Sequence, residues 1–208
     1  IKSLPTTNGK VLDIAGTAGE FAVALHKRMT ELGLEKDFIA NAIYTIPKSS
    51  VCYELTRKLY EMLELNVQNI AKEFIATDML DVKIGDEIDY DKIKALLTQN
   101  KPFETIKLTD TLTEGETEML KFEAVVGNPP YQSEAKKNSE TNGQNPRTNI
   151  FQHFQIQAEK TAEKYSVLIF PGIRWIHQSG KGLKEFGKQL INSKKLKKVI
   201  FYPKSRDV

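Results

Sequence analysis

The sequence has 208 residues, of which 40% are hydrophobic and 27% are charged, a composition typical of a globular protein. No apolar run approaches the roughly 20 residues that a membrane helix needs, and the first residues lack the apolar segment of a signal peptide. The net charge of +3 is too small to indicate a nucleic-acid partner by itself. The single cysteine, Cys52, excludes an internal disulfide and argues against a cysteine-based metal site.

The first half of the chain alternates between predicted strands and helices. A buried strand, KVLDIA, is followed by the turn GTAG and by the helix EFAVALHKRMTELG. FIANAIYTI is the second predicted strand, Pro47 breaks it, and SSVCYELTRKLYEMLEL is a helix capped by Ser49 or Ser50. IAKEFIAT is the third strand, which ends at Asp78. This order of elements is typical of a fold built from strand–helix units.

The second half continues the alternation. DYDKIKALLTQN is a helix, KFEAVVG the fourth strand, IFQHFQIQAEKTAEK a helix, YSVLIF the fifth strand, GKGLKEFGKQLINSK a helix and LKKVIFYP the last strand. The polar segment from Gln132 to Asn149 is longer than structureless loops usually are, which favours a functional or mobile segment. We therefore expect an α/β fold with a mostly parallel sheet. Because the chain stops just after an apolar strand, we also expect a fragment of a longer protein.

Three polar segments follow predicted strands directly: Asp13 to Gly19, Asp78, and Asn128 to Tyr131. In open α/β sheets, ligands bind outside the carboxyl ends of the strands, near the point where the strand order reverses. The first and fourth predicted strands commonly flank that point. Their loops are then expected to be neighbours, although more than a hundred residues separate them in sequence.

The turn after the first strand suits a small polar ligand. Gly16 and Gly19 let the backbone turn tightly and approach a ligand, and the N-terminus of the following helix offers N–H groups to a carboxylate or phosphate. Asp13 adds an acceptor for an amine or a hydroxyl. No GK[ST] follows, so the turn is not a Walker loop.

The stretch NPPY, Asn128 to Tyr131, predicts a rigid segment that presents hydrogen-bond acceptors at the end of a strand. The prolines stop the strand, and Asn128 is disfavoured in the helical region because a proline follows it. The side-chain oxygen of Asn128 and the carbonyl of Pro129 can accept both hydrogens of a planar amine, which leaves the nitrogen nucleophilic. Tyr131 can stack on the ring that bears the amine.

VLDIAGTAGEF and VVGNPPYQ together resemble motifs one and four of S-adenosylmethionine-dependent N6-adenine DNA methyltransferases of bacterial restriction–modification systems. The downstream block from Gly172 to Val208 is also similar to that group. The resemblance implies a Rossmann-like methyltransferase fold, with a mostly parallel seven-stranded sheet and helices on both faces. It also implies that residues 1–208 are a catalytic-domain fragment from which the target-recognition region is absent.

The resemblance also implies roles for residues, by position. The catalytic residues are Asn128, Pro129, Pro130 and Tyr131, which hold the amine of a flipped adenine and stack on its ring. The residues that bind S-adenosylmethionine are Asp13, Ala15, Gly16, Gly19, Phe21 and Asp78, and no metal is required. The implied partner is double-stranded DNA, bound through the full-length protein, with a restriction nuclease and a specificity region fused or associated. The implied location is the bacterial cytoplasm, at the nucleoid, without a membrane.

Two positions depart from the family pattern, which usually reads DPACGSGxF in the first motif. Thr17 stands where the middle glycine is expected, and a β-branched residue resists positive φ. Pro47 stands where the second strand usually ends in an acid that binds the cofactor ribose. Glu54 or another group would have to replace that acid, or cofactor binding is weak.

Three alternatives stay open at this point. NPPY also occurs in methyltransferases that act on glutamine side chains of proteins or on exocyclic amines of RNA bases. Thr17 and Pro47 are compatible with a non-catalytic, DNA-binding or regulatory remnant. The nine Lys or Arg residues between Lys181 and Val208 fit either a phosphate-facing surface or an ordinary solvated one.

Overall fold

The computed structural model of the chain describes residues 9–112, 119–133, 148–171 and 183–202. It divides into two compact units. Of the described residues, the first unit contains those up to Pro130 together with His153–Ile169, and the second contains the remainder. No helix among these residues is long and apolar enough to span a membrane.

The first unit is built on a parallel sheet of four strands in the order β2-β1-β5-β6. Its strands are β1 (Lys10–Gly16), β2 (Ile43–Pro47), β5 (Phe122–Gly127) and β6 (Ala162–Leu168). β1 and β5 are apolar and buried almost throughout, because helices cover both faces of a parallel sheet. β3 (Lys83–Ile84) and β4 (Glu87–Ile88) form a separate short antiparallel pair.

Six helices accompany these strands in the described residues: α1 (Glu20–Glu31), α2 (Lys36–Ala42), α3 (Ser50–Met62), α4 (Tyr90–Leu97), α5 (Phe151–Thr161) and α6 (Leu183–Asn192). Three short 3-10 helices lie at Val67–Asn69, Ala76–Asp81 and Phe103–Thr105. Apolar residues of α1, α2 and α3 form one core with Val11 of β1 and with Ala124 and Val126 of β5. Edge-to-face contacts join the rings of Tyr44, Phe103 and Phe122.

The α/β class and the parallel sheet are confirmed, whereas the described residues form four parallel strands rather than the seven that the resemblance implied. The third predicted strand is reduced to one parallel bridge between Thr45 and Ile70, because the chain turns into the 3-10 helix Ala76–Asp81 soon afterwards. The last predicted strand is wrong for residues 196–202, where no strand forms and every side chain is exposed. A strand requires a neighbour for its backbone hydrogen bonds.

The start of the second strand was also wrongly predicted. Residues 36–42 form α2, and β2 begins only at Ile43. The helix is stabilised by burial of Ile39 and Ala42, three residues apart on one face, and by a hydrogen bond from Asn41 Nδ2 to the carbonyl of Asp37. Short apolar runs of this kind do not distinguish a helix from a strand by periodicity.

α4 and α5 are joined by polar contacts on the surface of the first unit. The Tyr90 hydroxyl lies 2.7 Å from Nδ1 of His153, and Lys160 Nζ lies 2.6 Å from Asp91 Oδ1. Burial lowers the pKa of His153 and raises that of Tyr90 to about 12. The two groups share one hydrogen bond, and the tautomer of the imidazole decides which of them donates.

The second unit is described separately, and its core is aromatic. Phe151 packs against Phe170 and Phe186 with ring centroids 5.4 and 6.0 Å apart, respectively. Leu183 and Leu190 of α6 complete this cluster. The spacing of Leu183, Phe186 and Leu190 places them on one face of the helix, so α6 is held to its unit by a single apolar stripe.

Candidate active site

The carboxyl ends of three strands meet at one edge of the sheet. Asp13 of β1 pairs with Val126 of β5, and Gly16 at the end of β1 pairs with Pro47 at the end of β2. Lys48 then donates its backbone N–H to the carbonyl of Gly16, at 2.9 Å. The prediction that the loops after the first and fourth predicted strands are neighbours is therefore confirmed.

The two glycines of the turn after β1 are required by close packing. A Cβ atom on Gly16 would lie 2.5 Å from Thr45 Cγ2 and 3.0 Å from Asp13 Oδ2. Gly19 has a φ of 89°, and a Cβ atom there would lie 2.2 Å from Leu59 Cδ2. Side chains are excluded from both positions because both glycines are buried against neighbouring side chains of the protein.

Thr17 does not strain this turn. Glu64 is the only non-glycine residue with positive φ in the described part of the chain, so the backbone of Thr17 lies outside the left-handed region. Its hydroxyl donates to Glu20 Oε2 at 2.6 Å, and the backbone N–H of Ala18 donates to the same oxygen at 3.1 Å. The departure from glycine at this position is accommodated by the side chain of Glu20.

Asp13 is a buried carboxyl group at the centre of the site. It is 1% exposed, and its Oδ1 accepts from the N–H of Ala15 at 3.3 Å. Among the described residues, Oδ2 has no hydrogen-bond partner. The pKa of Asp13 is raised to about 7, mainly by burial. The Ala15 N–H and the Lys48 ammonium oppose this shift, and the charge of Glu20 adds to it.

A buried carboxylate oxygen without a donor is costly unless a ligand supplies one. An ammonium or hydroxyl group of a bound molecule can donate to Oδ2. The unsatisfied oxygen of Asp13 therefore fits the amino-acid portion of S-adenosylmethionine, which carries an ammonium group.

The other residues predicted for the cofactor loop have mainly structural contacts. Ala15 is buried and supplies the N–H that binds Asp13. Phe21 is half-buried and packs against the core formed by α1, α2 and α3. Their predicted contact with a cofactor stays a prediction.

Asn128, Pro129 and Pro130 follow β5 without an intervening loop. Pro129 is buried, whereas Asn128 and Pro130 are half-buried. The carbonyl of Gly127 accepts from the N–H of Ile169 just after β6, at 2.9 Å, which fixes the point where the strand ends. The predicted elbow therefore begins at the same edge of the sheet as the turn after β1.

Tyr131 belongs to the second unit. Its side chain is 37% exposed, and its carbonyl accepts from the N–H of Ile150 at 3.1 Å. In the opposite direction, the N–H of Ser133 donates to the carbonyl of Thr148, at 2.9 Å. The two ends of the predicted long loop are thus paired, and residues 134–147 between them lie outside the described part of the chain.

Asp78 does not follow a strand, in contrast to the prediction. It lies in the first turn of the 3-10 helix Ala76–Asp81, where its Oδ2 accepts from the N–H of Ile75 at 2.9 Å. The residue is exposed, so its second oxygen can meet a ligand, and the predicted contact with the cofactor adenine stays a prediction.

Sequence reasoning missed two charged residues at this edge, Glu20 and Lys48. Both lie within electrostatic range of Asp13. The signal was their position, directly after the glycine turn and directly after β2. Glu20 lies inside the stretch VLDIAGTAGEF, but the family pattern gives that position no role, and Lys48 lies outside both quoted motifs. The described residues contain no group of three or more side chains able to hold a metal ion, and Trp175, His177 and the loop residues Lys136, Lys137 and Arg147 lie outside them.

Comparison with known proteins identifies the family. Residues 39–208 match the sequence profile described as Eco57I restriction-modification methylase. No significant match is found among curated proteins or among solved structures. The match covers well over half of the chain, including NPPY, and begins after the glycine turn. The chain therefore belongs to the Eco57I restriction-modification methylase family, which indicates a DNA methyltransferase of a restriction–modification system.

Proposed function

We propose that the full-length protein transfers a methyl group from S-adenosylmethionine to the N6 amine of an adenine flipped out of duplex DNA. The observation that carries the proposal is the pairing of β1 with β5. It brings the turn with the unsatisfied carboxylate of Asp13 beside the strand that leads into Asn128 and Pro129. In this proposal, the cofactor binds at the turn and the amine binds at the elbow, after the ends of two strands that pair with each other.

Each side of the site has a defined task. Asp13 accepts from the ammonium group of the cofactor, and Gly16 and Gly19 allow its close approach. Asn128 and Pro129 accept the two hydrogens of the adenine amine, which lowers the conjugation of its lone pair with the ring. Tyr131 stacks on the flipped base, worth roughly 1–3 kcal/mol. Bound S-adenosylmethionine supplies an electrophilic methyl group on its sulfonium.

The reaction is an in-line displacement. Bound S-adenosylmethionine would supply its methyl group to the adenine nitrogen, with S-adenosylhomocysteine as the leaving group and the amine proton passing to solvent, while Asn128 and Pro129 would hold that nitrogen in line with the sulfonium. The residues of this chain contribute by positioning and by excluding water, since the methyl donor is already activated.

The test is methyl transfer by the full-length protein. S-adenosylmethionine with a labelled methyl group is incubated with duplex DNA, and the digested nucleosides are separated to find N6-methyladenine. Asn128→Ala should lower the rate by about a hundredfold or more, because one preorganised contact at the reacting atom is lost. Asn192→Ala, at the exposed end of α6, is the matched control and should transfer at the normal rate.

The acceptor is tested in the same assay. RNA and glutamine-containing protein are offered beside DNA, because both carry planar amines that an elbow of this kind can hold. Label in RNA or protein, with none in DNA, would overturn the choice of adenine in DNA while leaving methyl transfer in place.

One observation favours a non-catalytic protein instead. Pro47 ends β2 as a buried residue without a side-chain acceptor, at the place where open α/β folds commonly bind a ribose. Calorimetry of the full-length protein with S-adenosylmethionine separates the two functions. Absence of binding at millimolar concentration, together with absence of transfer, would favour a remnant that has lost its cofactor.

A further inference from the structure

The end of β2 lacks the acceptor that a nucleoside ligand needs. In doubly wound folds, a carboxylate near the end of the second strand accepts hydrogen bonds from ribose hydroxyls. Here that position is Pro47, which is buried and pairs with Gly16. Any replacement must therefore come from another element that reaches this end of β2.

Glu54, the replacement considered from the sequence, forms an ion pair with another residue instead. Its Oε2 lies 3.3 Å from Nε of Arg57, one turn along α3, and its side chain is 60% exposed. The same Arg57 also pairs with Glu61. Glu54 thus belongs to an ion-pair network on the outer surface of α3.

Glu20 is a carboxylate near this end of β2, within electrostatic range of Lys48. It is the first residue of α1, and its Oε2 accepts from the Thr17 hydroxyl and the Ala18 N–H. Thr17 directly follows Gly16, whose carbonyl accepts from the N–H of Lys48 just beyond β2. The Glu20 carboxylate is thus linked to the end of β2 through a hydrogen bond to Thr17, the peptide bond between Thr17 and Gly16, and the hydrogen bond from Lys48.

The charge of Glu20 is maintained at neutral pH. Although burial raises its pKa, the hydrogen bonds from Thr17 and the backbone and the nearby Lys48 ammonium together hold that pKa below the ordinary value. Both hydrogen bonds from Thr17 and Ala18 end on one oxygen, and a carboxylate has about four acceptor sites on two oxygens. Oε1 can therefore accept hydrogen bonds from a ligand.

We propose that Glu20 binds the ribose hydroxyls of the cofactor and so replaces the acid that Pro47 displaces from the end of β2. The inference rests on the proposed function, because it takes S-adenosylmethionine as the ligand. The inference also explains why threonine rather than glycine follows Gly16, because the Thr17 hydroxyl donates to the Glu20 carboxylate and fixes its position in the turn.

The test is calorimetric and does not depend on activity. The full-length protein is titrated with S-adenosylhomocysteine and with its 2′-deoxy and 3′-deoxy ribose analogues. The unmodified protein should bind at least one deoxy analogue roughly tenfold to a hundredfold more weakly, the usual effect of losing a hydrogen bond to a charged group. Glu20→Gln and Glu20→Ala should bind S-adenosylhomocysteine more weakly and lose most of that discrimination.

Two further variants separate ribose binding from a structural role. Thr17→Val removes the hydroxyl that holds Glu20 but keeps the carboxylate, so overall affinity should fall while a preference for the full ribose remains. Glu54→Gln should leave both affinity and preference unchanged. If the Glu20 variants discriminate as strongly as the unmodified protein, the inference is overturned and the proposed function stands. If the unmodified protein neither binds S-adenosylhomocysteine nor transfers methyl groups, the proposed function itself is overturned.

Discussion

At the scale of one residue, Asp13 shows how a group suited to binding a ligand can lower the stability of the folded protein. Its carboxyl group is buried with one oxygen unsatisfied, which disfavours the charged form and raises the pKa from 3.8 to about 7. An unfolded chain leaves the same carboxyl group in water, where it ionises near its ordinary value. A ligand that donates a hydrogen bond to Asp13 supplies the partner that this buried group lacks. Ligand binding and the stability of the fold are therefore linked through one side chain.

The first prediction concerns the pH dependence that Asp13 imposes. Between about pH 4 and pH 7 the folded state keeps a proton that the unfolded state has released, so raising the pH lowers the free energy of unfolding, by about 4 kcal/mol in all. Asp13→Asn removes this group and should flatten that part of the profile. The variant should therefore be more stable than the unmodified protein at pH 8, as measured by urea unfolding across the pH range.

The control for this prediction is Asp86→Asn, which changes an exposed carboxylate in the turn between β3 and β4. Its profile should run parallel to that of the unmodified protein. Parallel profiles for Asp13→Asn as well would show that Asp13 ionises normally in the folded protein. In the same experiment, Asp13→Asn should bind S-adenosylmethionine more weakly despite its greater stability.

At the scale of elements, α3 connects the end of β2 to the core. Its N-terminus is capped by Ser49, whose Oγ accepts from the N–H of Cys52 at 3.2 Å. Near its other end, the hydroxyl of Tyr60 lies 2.9 Å from the hydroxyl of Thr45 in β2. Desolvation raises the pKa of Tyr60, because the ring is fully buried. One end of the helix thus borders the candidate site while the other is fixed in the core.

The second prediction tests the cap of α3. The sequence left Ser49 and Ser50 as alternatives, and the structure assigns the hydrogen bond to Ser49. Ser49→Ala should lower the free energy of unfolding by about 1 kcal/mol, since an N–H at the helix start loses its acceptor. Ser50→Ala, at the exposed first helical position, is the matched control and should change stability by less than about half as much. Equal effects in urea unfolding would contradict the assignment.

The elements that sequence analysis predicted correctly are those with strong local signals. β1 and β5 are mostly apolar, buried runs that end at glycine, and α3 has both a cap and apolar residues at helical spacing. The start of β2 was wrong because FIANAI is apolar without a period that separates helix from strand. Residues 196–202 were wrong because strand propensity does not supply a pairing partner.

Residues of the candidate site that lie at strand ends could be predicted from the sequence. Residues that reach the site through contacts between distant parts of the chain could not. Asp13, Gly16 and Asn128 follow from the rule that ligands bind at carboxyl ends of parallel strands. Glu20 and Lys48 required knowledge that β1 and β2 end side by side. No property of either residue type distinguishes it from the other Asp, Glu, Lys and Arg residues of the chain.

At the scale of the whole molecule, charge is distributed unevenly although the total is only +3. Within the described residues 183–202, the exposed cations include Lys184, Lys194, Lys197 and Lys198, whereas Glu185 is the single acid. Clustered lysines neutralise phosphates more effectively than the net charge suggests. For a DNA methyltransferase, this surface of the second unit is a candidate contact with the DNA backbone.

The third prediction follows from counterion release. If Lys197 and Lys198 each contact a phosphate, replacing both with glutamine in the full-length protein should weaken DNA binding about equally for all sequences. It should also reduce the slope of log K against log salt by about 2, because each phosphate contact contributes roughly 0.9. The matched control replaces Lys36 and Lys58, exposed lysines of the first unit, and should leave the slope unchanged. Equal slopes for the two double variants, measured by fluorescence anisotropy with labelled duplex DNA, would assign the lysines of the second unit to an ordinary solvated surface.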